Sequence, residues 1–261
     1  MTFLPLSGKT ILVTRAAGQS SQFTTLLQQQ GATVLEMPAI EITPPSSWDA
    51  LDQAIAHLDQ FDWLILTSTN GVDYFFERLA AQQRSLADLA TLKIAVVGQK
   101  TAQRLQNQGR QPDFIPPDFV ADSLVEHFPE AVQSLKILFP RVETGGREIL
   151  VKELTAKGAE VTEVPAYQSG CAKMMPSDIA TALQQQQIDI ITFASSKTVS
   201  CFYQLLQTLP AALPLPSSFC LASIGPQTST TCQQLFGRVD LEATDYTLEG
   251  LTAAIVQWVQ P

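Results

Sequence analysis

Two loops rich in hydroxyl side chains recur in this chain at a fixed spacing. Residues 67–71 read Thr-Ser-Thr-Asn-Gly, and residues 194–198, which lie 127 positions later, read Ala-Ser-Ser-Lys-Thr. Small hydroxyl residues ahead of a helix usually cap its first turn. Free N–H groups and the helix dipole at such a position also favour a carboxylate or phosphate. The residues in these loops that we expect to bind an anion are Ser68, Asn70, Ser195 and Ser196.

A second pair of loops combines a glycine with a threonine three residues later. The pairs are Gly98 with Thr101 and Gly225 with Thr228, again 127 positions apart. Glycine lets the backbone approach a ligand closely, and threonine is predicted to cap the following helix while offering a hydroxyl. Neither loop is a P-loop or a G-x-G-x-x-G fingerprint, so the sequence does not favour nucleotide binding.

Arginines follow two of the predicted strands. Arg15 comes directly after residues 10–14, and Arg141 comes shortly after residues 137–139, with Arg147 nearby. A guanidinium just beyond a strand is well placed for bidentate contact with a carboxylate, although a lone exposed arginine is usually only solvated. We expect Arg15 and Arg141 to contact the carboxylates of a ligand.

Tyr167 stands apart because its counterpart 127 positions earlier is Ile40. A tyrosine at this place could donate a proton to a substrate, and the alternative is an interface aromatic whose hydroxyl is in water. The chain has no obvious nucleophile–base pair, paired acidic motif or cofactor signature. An enzyme of this kind would act mainly by binding and folding a reactive, polyanionic substrate.

These residues belong to a repeat that covers most of the chain, since residues 31–124 recur as residues 158–251. A period of 127 far exceeds the roughly 20–50 residues of solenoid repeats, so we expect two copies of one α/β unit. Two like domains enclose a cleft, and such clefts bind ligands. The residues shared by both copies are Gly31/Gly158, Pro38/Pro165, Asp62/Asp189, Ser68/Ser195, Gly98/Gly225, Thr101/Thr228 and Asp118/Asp245.

Short apolar runs alternate with helical stretches in both copies, which predicts α/β architecture with two doubly wound, flavodoxin-like parallel sheets. Residues 38–44 and 165–169 lack a tight turn signal and read as extended connectors between the domains. The periodicity leaves two divisions open. The chain could be cut near Pro129 into contiguous domains, or the first βαβ piece of each copy could pack with the remainder of the other.

Composition limits the class of protein further. The chain has 261 residues, a net charge of −9 and a pI near 4.7, which argues against general nucleic-acid binding. Four cysteines without a C-x-x-C motif and two histidines give no metal site, and reduced, buried thiols in a cytoplasmic protein are the plainer interpretation. No signal peptide or membrane span is visible.

The loops resemble those of the uroporphyrinogen-III synthase family over nearly the whole chain. The resemblance depends on the order and spacing of several short motifs, since each alone is degenerate. They are Leu12-Val-Thr-Arg15, Leu66-Thr-Ser-Thr-Asn-Gly-Val72, Ala95-Val-Val-Gly98 with Thr101, Pro165-Ala-Tyr167, Phe193-Ala-Ser195, Ser223-Ile-Gly-Pro226 with Thr228, and residues 243–251.

The resemblance implies two flavodoxin-like domains joined by a two-stranded connector, one formed by residues 1–37 and 168–261 and the other by residues 38–167. It implies a cofactor-free cytoplasmic enzyme that cyclises hydroxymethylbilane with inversion of the last pyrrole ring and loss of water. Tyr167 would assist departure of the hydroxyl. A monomer is expected, with no nucleic-acid or membrane partner, and transient contact with neighbouring pathway enzymes is left open.

Two other classes of function stay open on the residues alone. A two-lobed, non-catalytic binding protein for a small anion or sugar would share the duplicated architecture and the hydroxyl loops. A flavin or nucleotide oxidoreductase would require a clearer phosphate loop. A product assay separates the enzyme from the binding protein.

Overall fold

The computed structural model describes residues 4–15, 21–118, 121–145, 148–209 and 219–260. The strands in these residues are β1 (Thr10–Val13), β2 (Thr33–Glu36), β3 (Ile40–Thr43), β4 (Trp63–Leu66), β5 (Lys93–Val96), β6 (Lys136–Val142), β7 (Glu160–Cys171), β8 (Ile190–Phe193), β9 (Cys220–Ser223) and β10 (Leu241–Glu242). Arg147 lies outside the described residues, as do the proline-rich residues 210–216, which the sequence predicts to form a surface loop.

Helices follow most of the strands, as a doubly wound fold requires. They are α1 (Ser21–Gln29), α2 (Asp49–Ala56), α3 (Thr69–Ala81), α4 (Gln99–Asn107), α5 (Ala121–Glu126), α6 (Glu148–Ala156), α7 (Ser177–Gln184), α8 (Ser196–Gln207), α9 (Pro226–Phe236) and α10 (Leu248–Val259). Short 3₁₀ turns at Leu58–Gln60 and Leu86–Leu89 precede β4 and β5.

The chain forms two compact units. One consists of Met1–Glu41 and Gly170–Pro261, and the other of Ile42–Ser169. The sheet of the first unit has the order β10-β9-β8-β1-β2, and the sheet of the second has the order β3-β7-β6-β4-β5. Each sheet therefore combines strands from both copies of the repeat.

The two sheets share one strand order. By the 127-residue offset, β6, β7, β4 and β5 correspond to β1, β2, β8 and β9, and each set occupies the same sequence of places. Neighbours within both sets pair in parallel. Even the short β10 has a counterpart, since Phe114, 127 residues before Leu241, bridges Ala95 in parallel. The predicted fold class, two doubly wound parallel-sheet domains, is confirmed.

Each sheet is covered on both faces, which explains the continuous apolar runs in the sequence. In β4, Trp63 and Ile65 pack into one core cluster, and Leu64 and Leu66 pack into another. In β1, Leu12 packs on the side opposite Ile11 and Val13. Successive side chains of a strand point to opposite faces, so an uninterrupted run of apolar residues fills both cores.

The cysteine prediction is corrected in part. Cys171 at the end of β7 and Cys201 in α8 form a disulfide, with a Cα–Cα distance of 4.9 Å. That distance is in the ordinary disulfide range, and folding brings together two residues that lie 30 positions apart in different elements. Cys220 and Cys232 are free and buried, as the sequence predicted for all four.

In the part of the chain that the structure describes, no helix has both the length and the apolar character needed to cross a membrane.

Candidate active site

The carboxyl ends of β4 and β5 hold the first hydroxyl loop and the first glycine loop. Ser68 follows β4 with extended backbone dihedrals and caps α3, where its Oγ accepts a hydrogen bond from the Gly71 amide at 2.9 Å. Asn70 lies in the first turn of the same helix. Ligands of open α/β sheets bind outside the carboxyl ends of the strands, so these residues lie where such a ligand is expected.

Tyr167 lies at this same edge. Its hydroxyl is 3.0 Å from Ser68 Oγ, and its ring stacks on Tyr74 with the centroids 5.9 Å apart and the planes inclined at 19°. Ser68 Oγ already accepts from an amide, so its own hydrogen can be donated to the tyrosine oxygen. The phenolic hydrogen of Tyr167 is then available to a substrate. Tyr167 is 8% exposed, which fits a hydroxyl that reaches a binding edge from a buried ring.

Glu143 fixes the backbone around Tyr167. Its amide donates to the Tyr167 carbonyl at 2.8 Å, and its carboxylate accepts from the Ser46 amide at 2.9 Å and from Gln168 Nε2 at 2.6 Å. The hydrogen bonds from Ser46, followed by that from Gln168, lower the pKa of the Glu143 carboxyl below its ordinary value. The tyrosine is therefore held from both its ring and its main chain.

Tyr74 and Glu143 contact Tyr167, and the sequence did not predict either of them. Tyr74 donates a hydrogen bond to the Ile42 carbonyl at 3.3 Å, and burial raises the pKa of its hydroxyl, with a further contribution from Glu77. The residue 127 positions after Tyr74 is Cys201, so Tyr74 is not repeated in the second copy and comparing the copies does not single it out. A helical tyrosine six residues after a helix cap is too common a pattern to single out.

The glycine loop corrects the prediction that threonine caps the next helix. Gly98 is the N-cap of α4, with φ +91° and ψ 147°, and Thr101 is the third residue of the helix. Thr101 is only 5% exposed. An N-cap residue needs non-helical dihedrals, and a positive φ is available to glycine at little cost. The cap of α4 therefore carries no side chain of its own and makes no side-chain hydrogen bond to the first turn.

The other unit has an equivalent edge at β8 and β9. Ser195 caps α8, with its Oγ accepting from the Thr198 amide at 3.3 Å, and Gly225 caps α9. Ser196 Oγ donates to the Gln227 carbonyl at 2.9 Å and ties the starts of the two helices together. Thr228, like Thr101, is the third residue of its helix and 4% exposed.

A cavity of about 580 Å³ opens at this second edge. Its lining combines hydroxyls, a lysine, main-chain amides and one aromatic ring. The lining residues are Ala194, Ser195, Ser196, Lys197, Ile224, Gly225, Pro226, Gln227, Thr228 and Tyr246. The structure thus brings together all four residues that the sequence predicted for this unit's two loops.

The two arginines have different surroundings. Arg15 follows β1, which neighbours β8, and partial burial lowers the pKa of its guanidinium. Arg141 lies in β6, pairs with Glu163 on β7 and donates to the Gly145 carbonyl. The Arg141 side chain is 14% exposed, and the small cavity that it lines includes neither Ser68 nor Tyr167. Its role as a ligand for substrate carboxylates stays a prediction.

No group of three or more histidine, cysteine, aspartate or glutamate side chains could hold a metal ion among the described residues. At β4 and β5 the arrangement is instead a set of hydroxyl and amide donors at helix starts, with the Tyr167 hydroxyl 3.0 Å from Ser68 Oγ. Helix starts favour anions in general, and a tyrosine hydroxyl is able to donate a proton.

The chain is similar in sequence to one family over most of its length. The family model for uroporphyrinogen-III synthase HemD matches residues 21–253. The uroporphyrinogen-III synthase of Synechococcus elongatus is 55% identical over 258 residues, which cover 98% of this chain and 97% of that protein. The putative uroporphyrinogen-III synthase of Methanocaldococcus jannaschii is 28% identical over 249 residues, covering 94% of this chain and 97% of that one.

Solved structures share the fold at low sequence identity. Uroporphyrinogen-III synthetase from Helicobacter pylori superposes with a TM-score of 0.61 at 16% identity, over 96% of this chain and 99% of that one. A mutant uroporphyrinogen III synthase from Thermus thermophilus gives a TM-score of 0.58 at 17% identity, over 97% and 99% of the two chains.

Proposed function

The chain belongs to the uroporphyrinogen-III synthase family, and we propose that its strand-end loops bind hydroxymethylbilane while Tyr167 assists loss of the hydroxyl. Enzymes of this family close that linear tetrapyrrole into a macrocycle, with inversion of the last pyrrole ring and loss of water. The chain is accordingly a cyclising lyase of tetrapyrrole and haem biosynthesis. The family and the activity predicted from the motifs are confirmed.

The observation that carries the role of Tyr167 is its 3.0 Å contact with Ser68. In the first step the C–O bond of the hydroxymethyl group breaks, and the lone pair of the attached pyrrole nitrogen supplies electrons to the carbon. The oxygen leaves as water once it receives a proton, which the Tyr167 hydroxyl donates. The last ring then attacks that carbon through the α-carbon that already carries a methylene bridge, which gives a spiro intermediate. The bond from this α-carbon to its bridge breaks, the bridge carbon bonds to the free α-carbon of the same ring, and the proton lost from that free α-carbon returns to the tyrosine. Overall the substrate loses one water, and Tyr167 ends with its hydroxyl protonated as it began.

Binding requires many weak donors, since the acetate and propionate groups of the substrate are spread along a flexible chain. The candidate donors are the amides at the starts of α3, α4, α8 and α9 and the hydroxyls of Ser68, Ser195 and Ser196. Backbone amides bind anions without any net positive charge, so the charge of −9 is compatible with an anionic substrate. Asn70 and Arg15 extend this set of donors.

Positioning accounts for much of the rate in this proposal. Well-oriented intramolecular reactions reach effective molarities of about 10⁵–10⁸ M. A linear tetrapyrrole whose carboxylates are fixed brings its first and last rings into reach, and ring closure follows without a strong base. Tyr167 acts by proton transfer alone, because it gives a proton to the departing hydroxyl and regains one after ring closure.

A cytoplasmic location and a monomeric state complete the proposal. Transient contact with the enzymes before and after it in the pathway is left open. Light scattering on the purified protein measures its mass in solution, and a mass of two chains would contradict a monomer.

The distribution of porphyrin isomers tests the activity. Hydroxymethylbilane is generated in situ, incubated with and without the protein, and the oxidised porphyrins are separated by isomer. Type III formed only in the presence of the protein, in many-fold excess over protein molecules, supports the proposal. Type I in both samples, from uncatalysed closure, would leave a binding protein.

A further inference from the structure

We propose that Tyr246 binds one pyrrole ring of the substrate through the face of its phenol ring, a role that depends on the proposed function. Tyr246 is among the six large apolar side chains that the described residues expose, with 61% of its surface accessible. It lines the 580 Å³ cavity at β8 and β9 together with Ser195, Ser196 and Thr228. The pyrrole rings of the substrate are flat and carry carboxylates. An exposed aromatic ring beside groups that donate hydrogen bonds to carboxylates suits such a ring.

The backbone around Tyr246 is fixed. Thr247 caps α10, where its Oγ1 accepts from the Gly250 amide at 2.9 Å and donates to the Asp245 carboxylate at 3.0 Å. These bonds hold the residues on both sides of Tyr246. The ring is therefore presented from a rigid helix start, as a binding residue should be.

The ring of Tyr246 lies against the backbone of Gly225. A Cβ added to Gly225 would lie 3.0 Å from Cδ1 and 3.2 Å from Cγ of the tyrosine. Gly225 has φ 170°, which is extended backbone that any residue adopts, so its dihedrals do not require glycine. Its equivalent Gly98 has φ +91° and open space around the same position. A side chain at 225 would therefore press on the tyrosine ring, whereas at 98 it is the backbone conformation that favours glycine.

Packing against α10 does not account for the exposed side chain of Tyr246. A residue immediately before an N-cap often packs on the fourth helical residue as a hydrophobic staple. That fourth residue is Leu251, which is completely buried, whereas Tyr246 remains 61% exposed. More than half of the accessible surface of Tyr246 is therefore left for a ligand. The helix starts at Ser195 and Gly225 would hold the carboxylates of the ring that stacks there.

Kinetics with hydroxymethylbilane test the proposal. We expect Tyr246→Ala to raise KM about tenfold with kcat within about twofold of wild type, because a stacking contact is lost and Tyr167 is untouched. Tyr246→Phe keeps the ring and is expected to keep KM within about twofold. Tyr246→Leu keeps bulk without an aromatic face and should resemble the alanine variant. Trp258→Ala removes another exposed aromatic, on α10, and serves as the control with wild-type KM.

A double-mutant cycle adds a readout that a merely structural role would not move. Gly225→Ala displaces the ring and should raise KM in the wild-type background, but add little once Tyr246 is alanine. An unchanged KM in both Tyr246→Ala and Tyr246→Leu, with wild-type protein forming type III isomer, overturns this inference alone. Wild-type protein that forms no type III isomer overturns the proposed function and the inference with it.

Discussion

Residues repeated in both copies of the chain include a pair of aspartates that are structural. Asp62 Oδ2 accepts a hydrogen bond from the Lys136 amide at 2.8 Å, and Asp189 Oδ2 accepts from the Thr10 amide at 2.8 Å. Both lie before the strands β4 and β8, at the edge opposite the hydroxyl loops. Repetition therefore marks residues that shape the unit as well as those that line its binding edge.

Tyr167→Phe removes the proton donor and keeps the ring that stacks on Tyr74. We expect kcat to fall about 10²-fold, the usual contribution of a positioned general acid, while KM stays within about threefold. Tyr203→Phe is the matched control, since the Tyr203 ring packs on Phe236 and is not among the residues that contact Tyr167 or Ser68, and it should keep wild-type rates. Full turnover by Tyr167→Phe with an unchanged product would show that the hydroxyl has no part in the reaction.

The cysteines should differ in reactivity. Burial raises the pKa of Cys220 and Cys232 to about 12, so almost no thiolate is present at pH 8 and the native protein should not react with thiol reagents. Unfolding without reductant should release two thiols per chain, because two of the four cysteines form the disulfide. A count of four under these conditions would contradict the Cys171–Cys201 bond.

At the level of elements, the aspartate pair ties the start of one strand to its neighbour in each sheet. Asp62→Ala and Asp189→Ala should each lower the free energy of unfolding by about 1 kcal/mol, since each leaves a strand amide without its acceptor. The loss should be larger for Asp189, which also binds Lys9 Nζ at 3.2 Å. The asparagine variants keep an acceptor oxygen and should lose less. Urea denaturation measures all four, and equal stability of the alanine and wild-type proteins contradicts the structural role.

The start of α4 depends on glycine for its backbone conformation. Gly98→Ala places a Cβ at φ +91°, so we expect a loss of about 1–3 kcal/mol of stability although nothing lies within 4 Å. Gly170→Ala is the control, because its surroundings are equally open and its φ is not in the left-handed region. Thermal melting compares the stability of the two variants. A Gly98 variant as stable as the Gly170 variant would contradict the backbone requirement.

Most strands and the helices at the site were predictable because their signals are local. Apolar runs marked β4 and β8, and hydroxyl residues marked the caps Ser68 and Ser195. The cap of α4 was assigned to Thr101 instead of Gly98, since sequence alone does not reveal a positive φ. β7 extends to Cys171 and so includes residues 165–169, which the sequence predicted as an extended connector, because these residues stay extended beside β3.

For the molecule as a whole, periodicity could not reveal which strands share a sheet. Both divisions of the chain preserve an offset of 127, and long-range pairing alone distinguishes them. In the structure β1 pairs with β8, and β6 pairs with β4. The contacts of Tyr167 with Ser68 and of Tyr246 with Gly225 are of the same kind, because residues far apart in sequence meet only after the strands have paired.

The isomer distribution measured over a range of protein concentrations tests the central claim most directly. Uncatalysed closure of hydroxymethylbilane gives type I, so the type III fraction should rise toward completion as protein is added and its closure outpaces the free reaction. The wild-type chain without added cofactor is the sample, and heat-denatured protein is the control. A product that stays type I at every protein concentration would contradict the claim that this chain is a uroporphyrinogen-III-forming enzyme.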